Sequence, residues 1–388
     1  MEPSVLYSPG PASRNYTPVL MSYSHSSELQ QAEAPREELI RADFCKYLLA
    51  ELNSRDQKAR LEAIIRAKLP YDEGSVTSET LQATAAAYVR TIENSFEKQL
   101  EGHLATARHA SWRDELPTCP LYTPQDYTSF LGPFVHQSLP SLYRADDPAI
   151  QRIACRAAEC MAQASDVPPD LVPGLAKLAL YDFVILCDNS ESMTEEDRIP
   201  ALRDTLDKVA NIATRLSDSG ISVRVLNHTV QWDNLRDSQH IKRCMDTIRY
   251  SGDTQLGTKL ENNVLRPMIV DKIIAGTFTK PVIIVIITDG EPTNEAPTKL
   301  RDSIYQCDKY LQDKASVAYL ISRVGTSERA QNFLNDLRND PYIGKSVYAA
   351  EADLALTREV FLRAAGDSHY LANLVKLFLE ALHVRTRQ

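Results

Sequence analysis

Two uninterrupted apolar runs, Phe183 to Cys187 and Val282 to Ile287, each lead into an aspartate: Asp188 directly after the first, Asp289 one residue beyond the second. A strand covered on one face alternates apolar and polar residues, whereas a strand covered on both faces is apolar throughout. These runs therefore belong inside a parallel sheet with helices on each side. The rest of this half agrees. From Ile199 to Leu216 the apolar residues Ile199, Leu202, Leu206, Val209, Ala213 and Leu216 recur at intervals of three and four, the spacing of a helix with one buried face. Ile221 to Val225 alternates like a half-covered strand, and Thr229 to Trp232 is expected to return beside it as an antiparallel edge. Leu256 to Ile274 reads as helix, and Val282 to Ile287 as a central strand. A helix carrying Leu300, Ile304, Cys307 and Leu311 follows, then a strand at Val317 to Ile321 and a helix from about Ser327 to Leu337. A strand around Ser346 to Ala349 comes next, and the last helix carries Leu371, Leu374, Val375, Phe378 and Leu382 on one side. Alternating strands and helices predict an α/β fold over residues 179–388: a doubly wound, mostly parallel, Rossmann-like sheet.

In such sheets ligands lie beyond the carboxyl ends of the strands, where strand order reverses. Asp188 and Asp289 are placed for that position. The segment Asp188-Asn189-Ser190-Glu191-Ser192 adds two hydroxyls at alternate positions, which turn toward one point while Asn189 and Glu191 turn away. Magnesium takes an octahedron of hard oxygens and is held by one or two carboxylates, keeping water or an external anion in the remaining positions. With two anionic groups the ion stays electrophilic, and an open position attracts a carboxylate from outside.

Asp188-x-Ser190-x-Ser192, the later Gly252-x-Thr254-x-x-Gly257 and the strand end Thr288-Asp289-Gly290 resemble, in order and spacing, the metal-ion-dependent adhesion site (MIDAS) of von Willebrand factor A (VWA) domains. The resemblance covers residues from about Tyr181 to the C-terminus. It implies Mg²⁺ or Mn²⁺ bound directly by Ser190 and Ser192, and directly or through water by Asp188, Thr254 and Asp289. It also implies a protein partner that supplies an Asp or Glu carboxylate. Helix N-termini expected just after Ser192 and just after Thr254 would favour that anion. Glu191 departs from the family pattern, which has Gly at this position: turned outward, as expected of a charged side chain, it shapes the rim, and turned inward it would occupy the open position and mask the site.

Composition limits the other possibilities. The 388-residue chain is 43% apolar and 24% charged, ordinary for globular domains. Its formal charge of -9 and pI near 5.5 disfavour nucleic acid or an anionic membrane as the main partner. No stretch approaches a membrane span, the N-terminus lacks the basic and apolar pattern of a signal peptide, and the seven cysteines include no C-x-x-C pair. These features predict an intracellular, cytoplasmic or nuclear, protein.

Residues 1–35, rich in Ser, Pro and Tyr, read as a disordered tail. Residues 36–178 read as a mainly helical region with no family resemblance. It includes helices between Glu37 and Ala110, an irregular proline-rich connector from Pro117 to Pro140, and a helix capped by Asp147-Pro148.

Three competing motifs fail on chemistry. Gly252 to Lys259 resembles a phosphate-binding loop, but its Lys does not follow the second Gly and no strand precedes it. A haloacid-dehalogenase phosphatase needs a second acid where Ser190 stands. Ser190 also lacks the G-x-S-x-G elbow of a nucleophile. The expectation is thus a non-enzymatic, metal-dependent protein-interaction module serving as a scaffold or assembly factor. A magnesium-dependent hydrolase using Asp188 and Asp289 is the alternative.

Overall fold

The computed structural model describes residues 115–387, apart from 145, 164–166, 196–197, 217–219, 326, 355–357 and 359–366. The tail expected at 1–35 and the helices expected between Glu37 and Ala110 lie outside the described residues.

The proline-rich connector contains a helix, α1, Pro124–Ser138. Pro124 occupies the first turn, where a missing N–H costs nothing. Thr123 and Asp126 form a reciprocal cap, the Asp126 amide donating to Thr123 Oγ1 at 3.2 Å and the Thr123 amide to Asp126 Oδ2 at 2.9 Å. Pro133 lies inside the helix, whose buried Tyr127, Leu131, Phe134 and Val135 offset the lost hydrogen bond. The reading of this stretch as irregular is corrected accordingly: prolines at 124 and 133 are compatible with one capped helix.

Helix α2, Pro148–Ala162, begins at Asp147, whose Oδ1 accepts from the Ala149 amide at 2.8 Å. A short α3, Val172–Leu178, follows a 3₁₀ turn. Residues of these three helices, among them Leu131, Ile150 and Leu175, share one apolar cluster with Phe183 and Ile185 of the first strand.

Six strands form one sheet. In chain order they are β1 Asp182–Cys187, β2 Ile221–Val225, β3 Trp232–Leu235, β4 Val282–Thr288, β5 Val317–Arg323 and β6 Val347–Asp353. Their spatial order is β3-β2-β1-β4-β5-β6, and every pairing is parallel except β2 with β3. The helices between them are α4 Arg198–Arg215, α5 Ser238–Asp246, α6 starting at Leu256–Leu260, α7 Lys299–Asp308, α8 Glu328–Asn339 and the C-terminal α9 Asp367–Thr386. Helix α6 continues through a π-helical stretch, Glu261–Val270, to Asp271–Ile274. Pro267, which has no N–H to donate, lies in the π stretch.

The apolar runs are explained by this packing. Phe183, Ile185, Ile283, Val285 and Ile287 face a cluster with Leu202 and Leu206 of α4 and Val375 and Phe378 of α9. Val184, Leu186, Ile284 and Ile286 face a second cluster with Leu260, Leu300, Ile304 and Leu334. Each such side chain contributes roughly 1.5–3 kcal/mol by leaving water.

The antiparallel edge begins at Trp232, where Thr229 was expected. The reason lies past β2. The Leu226 amide donates to the Cys187 carbonyl at 3.1 Å and the Asn227 amide to Asn189 Oδ1 at 2.8 Å, so the chain runs on beside β1 before turning back. Among the described residues no helix is long and apolar enough to cross a membrane.

Candidate metal centre

The register Cys187↔Ile287 aligns the ends of β1 and β4, and the Asp188 amide extends the pairing by donating to the Ile287 carbonyl at 2.9 Å. Both aspartates consequently emerge at the same end of adjacent strands. Asp188, Ser190 and Asp289 are all buried. Ser190 Oγ lies 3.1 Å from Ser192 Oγ, and Ser192 Oγ donates to Asp289 Oδ1 at 3.0 Å. Asp188 closes the other end: its Oδ1 accepts from the Ser190 amide at 2.8 Å and its Oδ2 from Thr288 Oγ1 at 2.7 Å. Asp188, Ser190, Ser192 and Asp289 thus form one linked set of oxygens.

Thr254, the fifth predicted residue, is buried on a neighbouring loop. Its amide donates to Thr293 Oγ1 at 2.9 Å and its carbonyl accepts from the Thr293 amide at 3.0 Å, which ties it to the chain that follows Asp289. Asn189 joins three loops around the site. Its Nδ2 donates to the Arg249 carbonyl at 2.7 Å, its Oδ1 accepts from the Asn227 amide, and its carbonyl accepts from the Ser251 amide at 2.8 Å. Glu191 is exposed, on the outside of this set. The start of α6 already has an acid: the amides of Gly257 and Thr258 donate to the two oxygens of Glu295 at 2.8 and 2.9 Å. The anion-favouring helix end expected after Thr254 is therefore occupied by this chain's own carboxylate.

The two aspartates differ electrostatically. Burial pushes the Asp188 carboxyl above the ordinary carboxylate range, and the hydrogen bonds from Thr288 and Ser190 only partly counter it. Asp289 has a cationic neighbour, because Arg198 Nη1 lies 2.6 Å from its Oδ2, with both side chains almost wholly buried. Arg198 is a site residue that sequence reasoning missed. An arginine opening an amphipathic helix reads as surface, and its burial depends on residues distant in the chain.

The donor chemistry fits a small hard cation. Ligands about 2.0–2.1 Å from an octahedral Mg²⁺ lie about 2.8–3.0 Å from their neighbours. The Ser190–Ser192 and Ser192–Asp289 separations of 3.1 and 3.0 Å are close to that spacing, which is also the length of the hydrogen bonds holding these oxygens together. Among the described residues no group of three or more His, Cys, Asp or Glu side chains is placed to hold a metal ion. A cation at this place would rest on two carboxylates and hydroxyls, a set suited to Mg²⁺ or Mn²⁺ and unsuited to softer metals.

No protein-family model matches the chain, and no curated protein matches it. Among solved structures, proximal thread matrix protein 1 from the mussel byssus aligns with a TM-score of 0.35 and 16% sequence identity. The alignment covers 49% of this chain and 48% of that one, so the chain spans about half the length of the solved protein it matches. A likeness at this level carries no argument about fold or function.

Proposed function

We propose that residues 179–388 form a VWA-type domain with a doubly wound sheet, in which Asp188, Ser190, Ser192, Thr254 and Asp289 hold Mg²⁺ or Mn²⁺. The cation receives an Asp or Glu carboxylate from a protein partner, and the chain acts as a non-enzymatic scaffold or complex-assembly factor inside the cell. The observation that carries this reading is the linked set Asp188-Ser190-Ser192-Asp289 at the carboxyl ends of adjacent parallel strands.

When bound, the ion supplies Lewis acidity toward an incoming carboxylate. The protein's own groups do the rest. Ser190 and Ser192 present neutral oxygens that add no charge, Asp188 and Asp289 supply the anions, and Asn189 keeps the three loops in register. The chain's net charge of -9 gives no long-range attraction for an acidic partner, so recognition rests on the cation and the shape around it.

Calorimetric titration of the purified chain with MgCl₂ and MnCl₂ tests the site. Uptake is expected in the native chain and absent after Asp188→Ala or Asp289→Ala. Crosslinking mass spectrometry from native lysate, with and without EDTA, then identifies partners held through the metal. The reading is replaced by a hydrolase if the purified protein turns over a generic phosphate ester and both alanine variants lose that turnover.

A further inference from the structure

We infer that Arg198 is a built-in counter-cation that keeps the site in shape without metal and weakens its hold on a divalent ion. The inference rests on the metal-binding reading above and adds regulation to it.

A guanidinium at this place is costly on two counts. Arg198 is the first residue of α4, where a positive charge opposes the helix dipole, and it is 5% exposed, so it has given up its hydration. Its contacts show what offsets that cost. Nη1 donates to Asp289 Oδ2 at 2.6 Å and to the Ser192 carbonyl at 2.9 Å, while Nη2 lies 3.3 Å from the Glu195 carboxylate.

The fold makes room for this side chain. Gly325 has φ +95°, and a Cβ there would stand 2.4 Å from Arg198 Nε and 3.0 Å from its Cζ. A side chain at 325 would be strained and would also displace the guanidinium.

Two consequences follow for the site. First, Asp289 is oriented at both oxygens, by Ser192 on one and Arg198 on the other, and Ser192 is held through its hydroxyl and its carbonyl. The predicted ligands are thereby preorganised by bonds within the chain. Second, a divalent ion would share Asp289 with a resident positive charge. Repulsion between cations flanking one carboxylate, largely out of water, is strong enough to lower affinity markedly. Arg198 thus trades tight binding for a site that survives loss of its ion.

The test compares native protein, Arg198→Gln and Arg198→Lys by calorimetric titration with MgCl₂ and by thermal melting in EDTA and in about 5 mM MgCl₂. Arg198→Gln is expected to bind Mg²⁺ about tenfold or more tightly, to melt lower in EDTA, and to recover with added Mg²⁺. Arg198→Lys, which keeps the charge, is expected to stay within about threefold of the native affinity. Native protein is expected to gain no more than about 3 °C from Mg²⁺, because an ion held weakly beside the counter-cation adds little stability at this concentration.

Unchanged or weaker Mg²⁺ affinity in a folded Arg198→Gln overturns the role of Arg198 while leaving the metal site intact. A large Mg²⁺-dependent rise in the native melting temperature overturns it also, and needs no variant to fold. If neither native protein nor Arg198→Gln takes up Mg²⁺ or Mn²⁺, the metal reading fails and this inference fails with it.

Discussion

Arg385 and Asp308 meet in the interior as a two-point ion pair, Nη1 to Oδ2 at 2.8 Å and Nη2 to Oδ1 at 3.0 Å. The pair joins the last turn of α9 to the last residue of α7, and Arg385 Nε also donates to the Lys314 carbonyl at 3.0 Å. A carboxylate at a helix C-terminus is unfavourable by itself, and the fully buried guanidinium corrects it. Removing one partner strands a buried charge. Arg385→Met is expected to cost about 3–5 kcal/mol in urea unfolding, and pairing it with Asp308→Leu to recover most of that. A loss under about 1 kcal/mol would mean that water reaches the pair.

The fold was legible where one local rule decides the structure. Val282 to Ile287 is apolar without interruption because both faces of β4 are covered, and no other element type explains such a short run bounded by turns. Helix α4 lies within one residue of its predicted span for the same kind of reason. Strand β3 was displaced because its start depends on tethers from Leu226 and Asn227 to β1, which no periodicity encodes. At the site, the positions of Asp188 and Asp289 were readable from the strands they follow, and those of Ser190 and Ser192 from their alternate spacing after Asp188. Thr288 as a clamp on Asp188 required the β1–β4 register, and Arg198 required Gly325 and Asp289 to be near it in space.

Asp188 separates metal binding from folding. Its carboxyl is buried, and that burial disfavours the charge more than its two hydrogen bonds favour it. Asp188→Asn keeps the shape, removes the charge and leaves an oxygen to accept from the Ser190 amide. In EDTA this variant is expected to be as stable as the native chain to within about 1 kcal/mol, or more stable. Calorimetric Mg²⁺ uptake is expected to vanish. A variant that is clearly destabilised in EDTA would show that the carboxylate itself, with no cation, supports the fold.

Glu115 links the segment before α1 to both α3 and α9. Lys177 Nζ lies 3.1 Å from its carboxylate, and His383 Nδ1 bonds to the other oxygen. Burial alone would push the Glu115 carboxyl up, but Lys177 and His383 together outweigh it and hold it below the usual 4.5. On Lys177 burial wins instead and lowers its ammonium despite the same contact, so the net benefit of the pair lies on the acid side. A depressed carboxylate stabilises the fold above its unfolded pKa, and the benefit is lost as pH falls below about 4.5. Because Glu115 is partly exposed, the effect is expected to be roughly 1 kcal/mol. Glu115→Gln should melt lower at pH 7 and differ little from native near pH 3. Equal differences at both pH values would remove the ion pair as the cause.

Gly257 and Gly132 make different predictions for the same change. A Cβ at Gly257 would stand 2.3 Å from the Leu300 amide nitrogen and 2.6 Å from the Lys299 carbonyl carbon, both backbone atoms that cannot rotate aside. Gly257→Ala must therefore push the start of α6 away from the start of α7, at an expected cost of about 1–3 kcal/mol. The same shift moves the loop carrying Thr254 and breaks the Gly257 and Thr258 amide contacts to Glu295, so Mg²⁺ affinity is expected to fall with stability. Gly132 lies within α1 just before Pro133, and apart from its chain neighbours and its own helix backbone a Cβ there meets nothing within 4 Å. The residue before a proline is crowded in the helical region by the proline ring, here Pro133, and this offsets the gain from unfolded-chain entropy, so Gly132→Ala is expected to change stability by under about 1 kcal/mol, with Mg²⁺ affinity unchanged. Urea unfolding and calorimetric titration of both variants decide the matter: a Gly257→Ala protein as stable as native would mean that α6 and α7 are not in backbone contact.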